Sequence, residues 1–137
     1  MIELSFAADI AAAVAEAEAL CARVRSALAA LPDSSDRFAL ELLCREALAN
    51  AVEHGSGLDG SKRVHFELRI RGGLAAGRVS DEGRGFRRVP ESGRRAEALL
   101  EHGNGIVIMK RYSDRLRFED EGRTVVFERR IDEGSQA

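Results

Sequence analysis

The chain has 137 residues, 45% of them hydrophobic and 32% charged, which fits one domain with a core of its own and argues against a disordered chain. Lys and Arg number 21 against 23 Asp and Glu, a formal net charge of −2; a dedicated nucleic-acid binder would show a strong basic excess. No apolar run approaches the ~20 residues that span a bilayer. The opening MIELSFAADI carries Glu3 and Asp9 and lacks the basic stretch of a signal peptide.

In chain order, IELSF alternates Ile2, Leu4 and Phe6 with polar residues and predicts a short strand. From Asp9 to about Leu31 the alanine-rich segment, with Val14, Leu20, Val24 and Leu28 spaced along it, predicts a helix. LPDSSDR interrupts it, and Ser34, Ser35 or Asp36 is expected to cap a second helix running to about Glu53, stopped by the glycines of HGSGLDGS. Residues 62–71 alternate Val64, Phe66, Leu68 and Ile70 with His65, Glu67, Arg69 and Arg71, the pattern of a half-buried strand. Gly72–Gly73 predicts a hairpin into a second strand ending near Val79 to Asp81. From Glu82 to His102 the chain is rich in Gly, Arg and Glu and predicts a long functional loop, with a short helix around RRAEALLEH. NGIVIMKRYSD reads as helix, RLRFEDEGRTVVFERRI as a hairpin turning at Glu121–Gly122, and residues 132–137 as a flexible tail after a single domain over 1–131.

Helices and hairpins together predict an α+β, two-layer sandwich: helices on one face of a mixed, mostly antiparallel sheet whose other face is largely wet. The two cysteines, Cys21 and Cys44, lie in helical segments without CxxC or Cys/His spacing. Buried reduced thiols in a cytoplasmic protein are the expectation.

Within the second helix, EALANAVEHG places Glu46 and Asn50 one turn apart, about 40° from each other on the wheel, among Ala39, Leu42, Leu43, Ala47 and Ala49. A carboxylate and an amide in such surroundings either find partners or serve a pocket. Two further clusters follow, DEGRGF (Asp81 to Phe86) and GNG (Gly103 to Gly105). Singly, each is ordinary: a satisfied polar pair, a strand-ending turn, a helix-breaking glycine pair. Together they assemble the parts of a nucleotide site. Gly83 and Gly85 let backbone approach a ligand, and Asp81 offers a carboxylate to an exocyclic amine. Gly103 and Gly105 precede a helix whose free N–H groups attract phosphate. Asn50 offers a neutral oxygen to Mg²⁺. No GxxxxGK[ST] is present, so this is not a P-loop.

In order and spacing these boxes resemble the GHKL ATPase superfamily, with its histidine-kinase-like ATPase fold, and within it the anti-sigma factor serine/threonine kinase branch. That branch has an E-x-x-x-N box, a D-x-G-x-G box, a flexible lid and a G-x-G box, matched here by Glu46 and Asn50, by Asp81, Gly83 and Gly85, and by Gly103 and Gly105. The resemblance implies ATP and Mg²⁺ as cofactors. Asp81 would receive the adenine amine, Gly85 would lie against the base, and Asn50 would bind Mg²⁺. Gly103 and Gly105 would shape the end of the lid, and Thr124 would help to hold adenine. Glu46 would be the general base toward a serine or threonine hydroxyl. It further implies a cytoplasmic homodimer that phosphorylates a small anti-anti-sigma partner of STAS type and sequesters a sigma factor or similar regulator, with no direct contact to nucleic acid or membrane. An ATP-gated partner-binding module without efficient transfer is the alternative. Of Arg84, Arg87, Arg88, Arg94 and Arg95 in the lid, one or two are expected at phosphate and most in solvent. HFELR, from His65, superficially resembles a phospho-acceptor box, but it follows the Glu46/Asn50 box on an alternating strand, which argues against that role.

Overall fold

A computed structural model describes residues 2–55, 57, 59–83 and 105–134. Five strands form one sheet in the order β1-β2-β3-β5-β4: β1 Leu4–Ala11, β2 Arg63–Arg71, β3 Leu74–Asp81, β4 Arg115–Glu119 and β5 Thr124–Arg130. Three helices accompany them: α1 Val14–Leu28, α2 Ser34–Ala49 and α3 Gly105–Tyr112. At Asn50, α2 widens into a π turn, Asn50–Gly55. No helix among the described residues is long and apolar enough to cross a membrane.

The α+β sandwich matches the sequence expectation, with one correction: every ladder is antiparallel, not mixed. The connection from β3 through α3 does bring β4 back in the direction of β3. β5 then folds between those two strands, so no parallel ladder closes. β2 and β3 join through Gly72 and Gly73, whose φ of 60° and 76° suit glycine at a tight turn.

The first strand is longer than expected and α1 correspondingly shorter. Alanine content favours helix from Asp9, but Ala8, Asp9 and Ile10 continue the in–out alternation and pair with Phe66, His65 and Val64. Ladder pairing overrides propensity there. The cap of α2 is Asp33, whose carboxylate accepts from the Ser35 and Asp36 N–H groups, not any of the three residues after it. Asp36 is instead buried and tied to distant partners. The last hairpin turns through a 3-10 segment, Asp120–Gly122, with Asp120 and Glu121 at φ 55° and 58°.

Val64, Phe66, Leu68 and Ile70 of β2, Val79 of β3 and Phe127 of β5 pack beneath Leu20, Leu28, Leu40, Leu43 and Leu48 of the helices. Gly77 faces Phe127 across the β3–β5 ladder. A Cβ on Gly77 would fall inside van der Waals contact with the Phe127 ring, so the ring fills the space that glycine leaves. The opposite face carries the charged set: His65 bonds Asp9 and Glu67 at 2.9 Å each, and both partners raise its pKa. Both cysteines are buried and free. Past β5, Ile131 N–H donates to Gly73 O at 2.9 Å and Asp132 N–H to Asp36 Oδ2 at 2.8 Å; residues 135–137 lie outside the described residues.

Candidate active site

The site is built where α2 ends. Leu40, Leu43, Ala47 and Leu48 bury one face of the helix, and Glu46 and Asn50 follow along its edge. Asn50 is 8% exposed, and its Nδ2 finds no hydrogen-bond partner among the described residues. An unpaired buried amide donor costs about 1–3 kcal/mol, so a helix face that keeps one is shaped for something besides its own packing. The backbone widens into the π turn at this same residue, a distortion that recurs at functional sites.

Helix α3 closes against this corner through its first residue. A Cβ built on Gly105 would lie 3.0 Å from Glu46 Oε1, 3.5 Å from Asn50 Oδ1 and 3.6 Å from Asn50 Nδ2. Glycine therefore brings the first turn of α3, with its unsatisfied N–H groups, directly beside the carboxylate and the amide. Burial raises the Glu46 pKa; Arg45 opposes the shift and Glu53 adds to it. A carboxylate moved toward neutrality is suited to accept a proton and release it again.

Asp81 ends β3, facing inward opposite Val64 and 8% exposed. Its Oδ1 accepts from Gly83 N–H at 2.7 Å, which fixes the carboxylate's orientation. Burial raises its pKa, against the lowering effects of that N–H, Arg123 and Lys62. Such a group favours a hydrogen-bond donor over bulk solvation.

Thr124 is not brought to Asp81. It pairs with Ser80, and Ser80 with His65, so its side chain stands on the sheet face opposite Asp81. It is buried there, with its hydroxyl 2.9 Å from that of Ser80. Position in the sequence points to Thr124, and the strand's period of two turns it away. Arg123, one residue earlier, is the neighbour that sequence reasoning missed. Its carbonyl accepts from Asp81 N–H at 2.9 Å, and its Nε donates to Gly83 O at 3.0 Å. Arg123 lies just before β5 with helical backbone angles, so strand alternation does not reach it and only the tertiary contact reveals it. Gly85, Gly103, the lid arginines Arg84, Arg87, Arg88, Arg94 and Arg95, and the expected helix in RRAEALLEH lie outside the described residues.

The described residues thus present two polar stations on the helix side of the sheet, Asp81 with Gly83 at the end of β3 and Glu46 with Asn50 and Gly105 at the end of α2. Residues 7–129 match the family model described as a histidine kinase-like ATPase domain. No match was found among curated proteins.

Proposed function

Because this chain belongs to the histidine kinase-like ATPase domain family, whose members bind ATP, generally with Mg²⁺, we propose that it is a protein serine/threonine kinase of the anti-sigma type. The observation that carries the reading is the corner at which Gly105 meets Glu46 and the unpaired amide of Asn50.

The residues present fit the nucleotide. Asp81, held by Gly83 N–H, accepts from the exocyclic amine of adenine. Asn50 can turn its oxygen to a Mg²⁺ ion and its N–H₂ to a phosphate oxygen, which accounts for a donor left unpaired among the described residues. ATP bound with Mg²⁺ supplies a transferable γ-phosphoryl group whose charge the cation offsets. Glu46 orients a serine or threonine hydroxyl of the partner and accepts its proton. The first turn of α3 adds backbone N–H groups and the positive end of a helix dipole on the phosphate side.

Around that chemistry, the partner is a small anti-anti-sigma protein of STAS type, and the regulator held in turn is a sigma factor. The protein works as a cytoplasmic homodimer. Two buried free thiols suit a reducing compartment. β1, at the edge of the sheet and with the small exposed residues Ser5 and Ala7 on its outer face, suits pairing with a second copy.

The test is transfer of label from γ-labelled ATP with Mg²⁺ in lysate of the source organism, wild type beside Glu46→Gln. A small protein labelled on serine or threonine by wild type alone is the expected result. Label in neither sample, with Mg·ATP bound in both, would replace the kinase with an ATP-gated partner-binding module.

A further inference from the structure

Asp36 and Arg129 form the most buried ion pair of the described residues, far from Glu46 on the same helix. Asp36 lies in the first turn of α2 and is 6% exposed. Arg129, on the inner face of β5, donates from Nε and Nη2 to Asp36 Oδ1 at 3.2 and 3.1 Å, and from Nη1 to the Tyr112 carbonyl at 2.8 Å. Tyr112 is the last residue of α3. One guanidinium therefore joins the first turn of α2 to the terminal carbonyl of α3.

The two helices run antiparallel, with contacts at both ends of the overlap. At one end Tyr112 packs edge-on against Phe38, ring centroids 5.9 Å apart. At the other, Gly105 meets Glu46 and Asn50. A helix moves nearly as a rod, so fixing its last carbonyl sets the axial position of its first residue. The margin at that first residue is small. Slipping α3 by one position shifts it about 1.5 Å and turns it about 100°, which would bring the Ile106 side chain toward the place that Gly105 leaves open. Other bonds near the end of α3, Asp114 N–H to Glu128 O and Arg130 N–H to Asp114, tie the chain to β5 and do not register it against α2.

We propose that Asp36 and Arg129 are positioning residues that hold α3 in register along α2 and so keep Gly105 seated against Glu46 and Asn50. The inference rests on reading that corner as the phosphate end of the nucleotide site. A lysine could not replace the arginine, because a point charge cannot serve Asp36 and the Tyr112 carbonyl with one rigid fork.

The experiment uses the full chain with Arg129→Lys, and Asp36→Asn as a near-isosteric second variant should the first not fold. Carboxyl-carbon NMR titration without nucleotide reads the corner directly. Glu46 should titrate lower than in wild type, toward the ordinary carboxylate range, as α3 uncovers it, while Asp81 keeps its wild-type titration. An unchanged Glu46 titration in a folded variant would overturn the proposal. Calorimetry then separates the two ends of the nucleotide. Mg·ADP affinity should fall about tenfold, the scale of one lost interaction with a charged group, with adenosine affinity retained. Equal losses for both probes would mean general loosening and would also overturn it. If wild type bound neither probe, the nucleotide reading would fail, and the Glu46 titration would still decide the clamp.

Discussion

Helix α2 buries a carboxylate or an amide at each end, and the two ends are handled differently. At the first turn, Asp36 gives one oxygen to Arg129 and the other to the Asp132 N–H. At the last turn, Glu46 has its pKa raised by burial, and the Asn50 N–H₂ has no partner among the described residues. The same chemistry placed in the same helix is structural where its partners come from the chain and receptive where they do not. Substitution at the first turn should therefore cost stability as well as nucleotide affinity, and substitution at the last turn function with little stability.

The largest effect expected is on transfer. Glu46→Gln should lower the phosphotransfer rate by roughly 10²–10⁴, the usual contribution of a positioned base, while Mg·ATP binding is retained. Comparable transfer by the variant would remove Glu46 from the chemistry. At the other end, Asp36→Ala should cost about 3 kcal/mol in urea unfolding, because it leaves the Arg129 guanidinium without its carboxylate. A loss below that of a surface substitution would break the contrast between the two ends.

A pair of glycines sharpens it further. Gly77→Ala drives a Cβ to 2.1 Å from the Phe127 ring and should cost about 1–3 kcal/mol, as overpacking a core does. Gly105→Ala presses only on the movable end of Glu46 at 3.0 Å and meets the Asn50 amide at ordinary contact distance, so thermal melting should hold near wild type while Mg·ATP binding weakens. Asn50→Ala should weaken Mg·ATP about tenfold and leave urea stability equal or higher, since it deletes a buried donor that no described residue satisfies.

The smallest effect is a pH dependence. Burial raises the Glu46 pKa above 4.5 in the folded state, so the folded protein holds that proton more tightly than the unfolded chain does. This contribution is fully present below 4.5 and is lost as pH rises through the raised folded value. Glu46→Gln should therefore gain stability relative to wild type across that window, measured by urea unfolding at several pH values. Transfer by wild type should rise over the same window as the base ionises.

Much of this was legible before any coordinates. The alternation of β2 and the spacing of the α2 leucines declare their inner faces, and Glu46 and Asn50 stand out because they interrupt an apolar surroundings pattern one turn apart. Where reading failed, the competing information was not local. The extra turn of α1 gave way to ladder pairing with β2, and the strand phase of Thr124 turns it away from Asp81, whose N–H instead reaches the Arg123 carbonyl just before β5.

By itself, then, the sequence determined the elements, their buried faces and the order of the polar boxes, because periodicity, capping and turn chemistry act over a few neighbouring residues. Only the tertiary structure decided that Arg129 reaches Asp36 across 93 positions, that β5 inserts between β3 and β4, and that Gly105 comes to rest on Glu46 and Asn50. Those are choices of partner and register, and they are settled by which distant surfaces fill one another's space once the local elements have formed.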